Sequence, residues 1–379
     1  MKFRSLAVGA CALALTATAC GADEPAPAAV ADPVTVTYDG GIAVLDGGTL
    51  EVGHTVDLDG FTRLNPAGDD RYVVVTSGSA FRVLDATTGQ FTGTEFPAEK
   101  PGHVVRHAGR TVLFADGSGE VTAFDTAALA GGTPETEVYT TAAPHHGVAI
   151  ELADGRLVVS LGTEEARTGM IVLDAERREI ARSEECPGVH GEATAKGEAV
   201  VIGCQNGALI YRDGKITKVT SPTPYGRIGN QAGSDDSPIV LGDYKQDKDA
   251  ELERPQQISL IDTTTGGLRL VDLGTSYTFR SLGRGPAGEA LVLGTDGALH
   301  VIDPVRGAVT RKIPVIDAWQ EPLDWQQPRP ALFVRDGAAY ISDPATSQVH
   351  RIDLANGERT ATVTLPGIPN ELSGVQPGH

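Results

Sequence analysis

Residues 156–182 read RLVVSLGTEEARTGMIVLDAERREIAR and contain three short apolar runs separated by polar turns. The runs are rich in Val, Ile and Leu, and they are too short and too evenly broken for helices, which is typical of β-strands. The second run ends in Asp174, and the same ending recurs along the chain. This stretch therefore indicates one copy of a repeated all-β unit.

The repeated feature is an apolar run that ends in Asp and leads into a turn, often with Gly four residues later. It occurs eight times, at Asp46, Asp85, Asp125, Asp174, Asp213, Asp262, Asp303 and Asp353. A spacing of about 40 to 50 residues is typical of propeller blades, each built from four short strands. We therefore predict an all-β, eight-bladed β-propeller over residues 33–379, with a seven-bladed propeller carrying one irregular insertion as the alternative.

The two ends of the chain are predicted to share one blade. Residues 34–57 supply only three strands, and residues 369–375 near the C-terminus can supply the fourth, innermost strand. Joining both ends in one sheet removes an exposed strand edge that would otherwise invite aggregation.

The first 19 residues have the features of a bacterial export signal. A short basic segment precedes the apolar residues 6–18, a run too short to span a bilayer permanently. Residues 17–21 read ATACG, which resembles a lipobox and predicts that Cys20 carries lipid; an ordinary secretory signal is the alternative. Residues 20–32 are rich in Ala, Pro and acidic side chains and are predicted to form a flexible tether.

The overall charge excludes two classes of partner. The formal net charge is −19, and such an acidic surface repels nucleic acid and anionic lipid. We therefore expect no nucleic-acid binding and membrane contact through a lipid anchor only. A metal cation or a basic patch on another protein remains compatible with this charge.

Three histidines share one position in the repeat. Alignment of the blades on their Asp residues puts His103, His146 and His190 at the starts of the innermost strands of consecutive blades. These starts meet across the central channel, so the imidazoles are predicted to converge. Neutral imidazoles suit a tetrahedral Zn²⁺ site, although an all-nitrogen site would also bind Cu(II) or Ni(II). Binding should weaken as the pH falls through roughly 6 to 7.

Neighbouring residues compete for places in this site. His145 competes with His146, because successive strand residues point to opposite faces; we favour His146, whose following Gly matches the one after His190. Asp243 and Glu192 are the first candidates for a fourth ligand, and Glu192 could instead orient a ligating histidine. The histidines outside this register are His54, His300, His350 and His379.

Two cysteines remain once Cys11 leaves with the signal peptide and Cys20 carries lipid. These are Cys186 and Cys204, which lie on either side of His190 in the sequence. Outside the cytoplasm a disulfide is the default for such a pair. If reduced, the two thiolates could ligate a metal themselves.

The chain resembles the AztD-type zinc metallochaperones, which are exported β-propeller proteins that pass zinc to the solute-binding component of a zinc ABC transporter. The resemblance rests on residues 145–149 (HHGVA), 186–193 (CPGVHGEA), 203–207 (GCQNG) and 365–371 (LPGIPNE). It implies a zinc site at the mouth of the channel, formed by the three histidines above, with a disulfide beside it.

Three classes of function follow from these observations. The first is a non-enzymatic zinc chaperone, held outside the cytoplasm at the cell membrane, which delivers Zn²⁺ to a solute-binding protein as the resemblance implies. The second is a metal-dependent propeller hydrolase or lactonase, which would need Asn65, Asn230 and Asp235 to converge. The third is a metal-free scaffold for protein partners, because a fold does not determine a function. We expect a monomer.

Overall fold

The structure, a computed structural model, describes residues 28–377 and is an all-β propeller of eight blades. Each blade contains four antiparallel strands, which are consecutive in the chain except in the blade that combines its two ends, and one blade carries a fifth, short strand. The predicted eight-bladed architecture is confirmed, and the seven-bladed alternative is wrong. The predicted signal peptide, the lipidation site at Cys20 and His379 lie outside the described residues.

The first four blades are given from the channel outward. Blade 1 consists of β33 (Pro369–Gly374), β1 (Val34–Tyr38), β2 (Gly41–Leu45) and β3 (Val52–Asp57). Blade 2 consists of β4 (Arg63–Pro66), β5 (Tyr72–Ser77), β6 (Ala80–Asp85) and β7 (Gln90–Pro97). Blade 3 consists of β8 (Pro101–His107), β9 (Arg110–Ala115), β10 (Glu120–Asp125) and β11 (Glu137–Thr140), with a 3₁₀ helix at Thr126–Gly131. Blade 4 consists of β12 (Ala149–Glu151), β13 (Leu157–Gly162), β14 (Arg167–Leu173) and β15 (Glu179–Ser183).

The other four blades follow the same order. Blade 5 consists of β16 (His190–Ala195), β17 (Ala199–Cys204), β18 (Asn206–Arg212) and β19 (Lys215–Thr220), and β20 (Gly226–Arg227) pairs with β18. Blade 6 consists of β21 (Gln231–Ala232), β22 (Ile239–Asp243), β23 (Gln257–Asp262) and β24 (Gly267–Asp272). Blade 7 consists of β25 (Leu282–Arg284), β26 (Ala290–Leu293), β27 (Ala298–Asp303) and β28 (Ala308–Pro314). Blade 8 consists of β29 (Leu332–Arg335), β30 (Ala338–Asp343), β31 (Gln348–Asp353) and β32 (Arg359–Thr364).

Blade 1 closes the ring by combining both ends of the chain. Strand β33 pairs antiparallel with β1, with Val34 opposite Gly374, which confirms the predicted closure. Residues 28–32, assigned to the tether from the sequence, already contact this blade and its neighbours. The side chain of Val30 is buried, and its backbone N–H donates to the carbonyl of Thr87.

The recurring Asp has a structural role in the turn between the third and fourth strands. Asp46, Asp262 and Asp303 each accept hydrogen bonds through Oδ1 from backbone N–H groups two and three residues later. A short side chain with a carboxylate oxygen is suited to this local bond. The repeated Asp therefore marks blade geometry rather than a ligand site.

The core lies between neighbouring blades. The middle strands are mostly buried, and β2 and β17 are buried at every residue, whereas the outermost β3 has only exposed and half-buried positions. Burial on both faces explains why these runs are continuously apolar rather than alternating. Among residues 28–377, no helix has the length and apolarity needed to cross a bilayer.

The innermost strands all begin on one face of the disc, which we call the upper face. Because the four strands of a blade alternate in direction, the upper face also carries the connections between blades and those between second and third strands. These include residues 141–148, 184–189, 244–256 and 315–331. Below the upper face, the innermost strands enclose a channel cavity of about 750 Å³.

Candidate metal centre

His103, His146 and His190 lie together at the upper end of the channel. His103 is in β8, His190 is the first residue of β16, and His146 lies three residues before β12. The segment before β12 is held partly by a side chain, since Val148 N–H donates to Ser160 Oγ while the Val148 carbonyl accepts from Ser160 N–H. Three consecutive blades thus each present one imidazole to the same space.

The three rings are close enough to share one ion. The ring centroids are 5.2 Å apart for His103 and His146, 5.0 Å for His146 and His190, and 6.0 Å for His103 and His190. One nitrogen from each ring lies within 4.8 Å of the other two. The two Nε2 atoms of His146 and His190 are 3.2 Å apart.

The opposite ring nitrogens of His146 and His190 are held by hydrogen-bond acceptors. His146 Nδ1 is 2.5 Å from Asp116 Oδ2, and His190 Nδ1 is 2.6 Å from the carbonyl oxygen of Gly229. A carbonyl can only accept, and an ionised carboxylate likewise, so each Nδ1 carries the proton. In the neutral rings the Nε2 lone pairs then face each other.

Two facing lone pairs 3.2 Å apart repel unless a cation or a proton lies between them. Tetrahedral zinc with Zn–N bonds of 2.0–2.1 Å separates two ligand nitrogens by about 3.3 Å. The separation in the structure therefore fits two ligands of one zinc ion. His103 is farther away and would have to move inward, by on the order of 1 Å, to complete the set.

The environment of His190 favours the neutral form that a metal ligand needs. Burial, the nearby imidazole of His103 and the positive charge of Arg227 hold its pKa well below the ordinary value. His103 and its neighbour Glu192 are both largely buried, whereas the side chain of His146 is 40% exposed. The site is thus open to the upper face through His146.

The predicted fourth ligands lie around this cluster but not in it. Glu192 Oε2 is 3.2 Å from His103 Nδ1, and this buried oxygen has no aligned hydrogen bond within residues 28–377. Asp243 uses both carboxylate oxygens to accept from Gly229 N–H, Asn230 N–H and the Asn230 amide. Asp243 therefore supports the carbonyl that holds His190, and Glu192 lies where it can orient His103.

His145 makes its contacts outside the cluster. The sequence predicts this for one of the two adjacent histidines, because successive strand residues point to opposite faces. It is buried, with Nδ1 at 2.9 Å from the Ala143 carbonyl and Nε2 at 3.0 Å from Ser160 Oγ. Burial lowers its pKa. Both ring nitrogens are engaged, so His145 anchors the segment that carries His146.

Sequence reasoning missed two groups that hold the imidazoles, Asp116 and the Gly229 carbonyl. Asp116 lies in an Asp-Gly turn between β9 and β10, which is the ordinary composition of an exposed turn. A backbone carbonyl leaves no trace in a sequence. Gly102 and Gly191 are the sequence features that could have indicated these contacts. A Cβ at Gly102 would lie 2.2 Å from Asp116 Oδ1, and a Cβ at Gly191 would lie 2.4 Å from the Gly229 oxygen.

Cys186 and Cys204 form a buried disulfide with Cα atoms 4.9 Å apart. The carbonyl of Cys204 accepts from Ile228 N–H, the residue before Gly229. The bridge therefore joins the segment that leads into His190 to the segment that supplies its hydrogen-bond acceptor. With both sulfurs bonded to each other, neither is a thiolate ligand.

The residues that a hydrolase would need are not brought together. Asn230 precedes β21 and donates to Asp243, whereas Asp235 follows β21 at the lower end of the channel. Asn65 lies within β4 of blade 2. The histidines outside the blade register make local hydrogen bonds instead. His54 bonds to Ala28, His300 to Asp296 and His350 to Thr362.

Comparison with known proteins shows similarity to a zinc chaperone. The chain is 26% identical over 318 residues to the zinc chaperone AztD of Citrobacter koseri, an alignment that covers 79% of this chain and 73% of that protein. No protein-family profile matches the chain. The chain is therefore a homologue of AztD, and the resemblance noted in the sequence is confirmed.

Solved structures agree on the fold. The structure of apo AztD from Citrobacter koseri superposes with a TM-score of 0.79 at 22% identity, covering 92% of this chain and 98% of that one. A second crystal structure of the same protein gives 0.78 at 23% identity, with the same coverage of both chains. The dihydro-heme d1 dehydrogenase NirN gives 0.60 at 12% identity, covering 91% and 75%. The fold is thus shared with an enzyme and does not by itself decide function.

Proposed function

We propose that this chain, a homologue of the zinc chaperone AztD, binds Zn²⁺ as cargo through His103, His146 and His190. The observation that carries the proposal is the pair of Nε2 atoms 3.2 Å apart, each with its Nδ1 bonded to an acceptor. Such a pair is repulsive when neither a proton nor a cation lies between the two nitrogens, and a tetrahedral cation satisfies both of them.

The geometry would allow the metal to be handed on, and the choice of a carrier over an enzyme rests on the similarity to the zinc chaperone AztD. Three histidines leave the fourth position of a tetrahedral ion open, and the 40% exposure of His146 puts that position within reach of an incoming ligand. The ion can then pass to an acceptor by stepwise ligand exchange. Within residues 28–377, no carboxylate joins the three histidines as a further member of the cluster.

The acceptor in this proposal is the solute-binding protein of a zinc ABC transporter, which follows from the resemblance to AztD. The chain would work outside the cytoplasm, attached to the cell membrane through lipidated Cys20 and a short tether. The buried disulfide between Cys186 and Cys204 supports an oxidising compartment. The acidic surface is compatible with a protein partner and argues against nucleic acid.

Metal titration tests the proposal. We expect the wild-type chain to bind one Zn²⁺, and the His190→Ala variant to lose affinity by at least about a hundredfold, because one of three ligands is lost. The matched control is His54→Ala, which removes a histidine from an outermost strand and should leave affinity unchanged. Parallel titrations with Cu(II) and Ni(II) establish selectivity. Equal zinc affinity in the wild type and in alanine variants of all three histidines would reject the site.

A further inference from the structure

We propose that an exposed apolar patch on the upper face is the docking surface for the protein that accepts the metal, and that this acceptor presents a basic surface. The patch consists of the exposed side chains of Leu323, Trp325 and Ile368 and the half-buried ring of Phe61. The inference rests on the proposed function, since it assumes that zinc leaves the site by direct transfer. To the proposed function it adds two statements: which part of this chain the acceptor contacts, and that the acceptor's contact surface is basic.

The patch is built from three connections that meet on the upper face. Leu323 and Trp325 are 62% and 51% exposed and belong to the long connection between β28 and β29. Phe61 comes from the connection between β3 and β4, and its ring packs edge-on against Trp325 with centroids 5.2 Å apart. Ile368, 51% exposed, precedes β33, and the side-chain amide of Asn370 donates to the Gln326 carbonyl.

Large apolar side chains clustered in this way need an explanation. Single exposed hydrophobic residues are ordinary, but a cluster with an exposed tryptophan is the composition of a protein contact. The connection that carries Leu323 and Trp325 is held in place, because buried Arg329 donates to Glu321 Oε1 at 2.7 Å and to the Asp324 carbonyl at 2.6 Å. These hydrogen bonds therefore fix the conformation of the loop that carries Leu323 and Trp325.

The position of the patch connects it with the histidines. Its connections lead into the innermost strands of blades 8, 1 and 2, and His103 lies in the innermost strand of blade 3, the next blade around the ring. A contact surface of about 800 Å² per partner, roughly 30 Å across, would cover both. A protein bound there would extend across the mouth towards exposed His146.

Charge indicates which partner fits. The upper-face connections expose carboxylates around the mouth, among them Asp59, Glu165, Glu185, Asp249 and Asp317, and expose lysine only at Lys100 and Lys248. Such a surface attracts a basic one and repels a second copy of this acidic chain, whose net charge is −19. It repels an anionic membrane in the same way. We therefore assign the surface to a basic metal acceptor.

The experiment uses the tryptophan of the patch as its reporter. The chain contains two tryptophans, so a Trp319→Phe background leaves Trp325 as the only one. The probe is the purified zinc-free solute-binding protein of a zinc ABC transporter from the same organism. We expect it to shift Trp325 emission to shorter wavelength and to lose this effect at high salt, as a charged contact requires.

Zinc transfer to the same probe is then measured with patch variants. Leu323→Ser combined with Trp325→Ser should slow transfer by about tenfold or more, as for loss of a tryptophan hot spot, with zinc affinity unchanged. The control is Val305→Ser, because Val305 is 72% exposed but lies in a third-to-fourth-strand turn on the opposite face. It should transfer at the wild-type rate.

Several results would overturn the inference. Transfer that proceeds equally well in the patch variant would exclude this surface while leaving zinc delivery intact. Patch-dependent self-association in sedimentation, or patch-dependent binding to phosphatidylcholine vesicles, would assign the surface to a second copy or to lipid. If the zinc-loaded wild type transfers nothing to the probe, the delivery proposal fails together with the docking surface, and only zinc binding survives.

Discussion

The upper mouth of the channel has two halves built at equivalent positions of the innermost strands but with opposite chemistry. Blades 3 to 5 present His103, His146 and His190. Across the mouth, blades 7 and 1 present Arg280, two residues before β25, and Glu371 in β33, and these two buried side chains form an ion pair. Burial lowers the pKa of Arg280 to about 10, yet it remains charged and paired.

The difference between the two halves indicates which kind of buried polar cluster can bind a cation. In the arginine half, the charged side chains are paired within the chain, Arg280 with Glu371 and Arg329 with Glu321 at 2.7 Å. In the histidine half, the Nδ1 atoms of His146 and His190 are satisfied and their Nε2 atoms are not. The first arrangement supplies its own counter-charges, whereas the second leaves two acceptor nitrogens facing each other, which makes the second the candidate cation site.

Removing the ion pair between Arg280 and Glu371 should have the largest effect. It should lower the free energy of unfolding and leave zinc affinity unchanged. Glu371→Gln leaves Arg280 buried without its counter-charge, which costs about 3 to 5 kcal/mol in free energy of unfolding. Urea denaturation measures this loss, and zinc titration of the same variant should be unchanged. Replacing both residues, by Arg280→Met and Glu371→Leu, should cost less than the single change. A single variant as stable as the wild type would show that the pair does not hold this half together.

Loosening the histidine half should affect zinc affinity instead. Asp116→Ala removes the carboxylate that holds His146 Nδ1, and loss of such a supporting group typically lowers metal affinity about 10- to 100-fold. Competition with a fluorescent chelator measures it. The control is Asp59→Ala, because Asp59 is also a carboxylate of the upper face but has no recorded contact with a histidine among residues 28–377. Equal affinities in the two variants would mean that Asp116 does not orient the ligand.

The pH dependence of zinc affinity should be the smallest of these effects. Histidines bind zinc as neutral imidazoles, so protons compete and affinity falls as the pH is lowered. Because burial holds the pKa of His190 below its ordinary value, this ligand stays neutral where an exposed imidazole is protonated. We expect a loss of about tenfold between about pH 7.5 and pH 5.5. Affinity that rises on acidification would contradict histidine ligation.

Much of the fold could be predicted from the sequence, because each blade repeats the same local signals. The Asp before each turn and the apolar middle strands recur at a steady spacing, and the count of only three strands in residues 34–57 indicated that residues 369–375 could complete blade 1. The register of the three histidines followed from this periodicity, since a blade alignment is also an alignment of channel positions. The start of β12 at Ala149 was less predictable, because side-chain contacts hold the preceding segment.

The partners of the imidazoles could not be predicted in the same way. Asp116 comes from a turn of blade 3 and meets His146 of blade 4, and the Gly229 carbonyl comes from the segment before blade 6 and meets His190 of blade 5. These contacts depend on how neighbouring blades are rotated against each other, which no periodicity encodes. For the same reason Asp243 suggested a ligand, although both its oxygens accept from the 229–230 backbone and the Asn230 amide.

The most direct test of the account is a crystal structure of the zinc-loaded chain with anomalous data collected on both sides of the zinc absorption edge. We expect one strong peak between blades 3, 4 and 5, bonded to Nε2 of His103, His146 and His190 at about 2.0 to 2.1 Å. The Nδ1 contacts of His146 and His190 with Asp116 and Gly229 should persist. A peak elsewhere in the channel, or coordination that leaves out two of these histidines, would contradict the central claim.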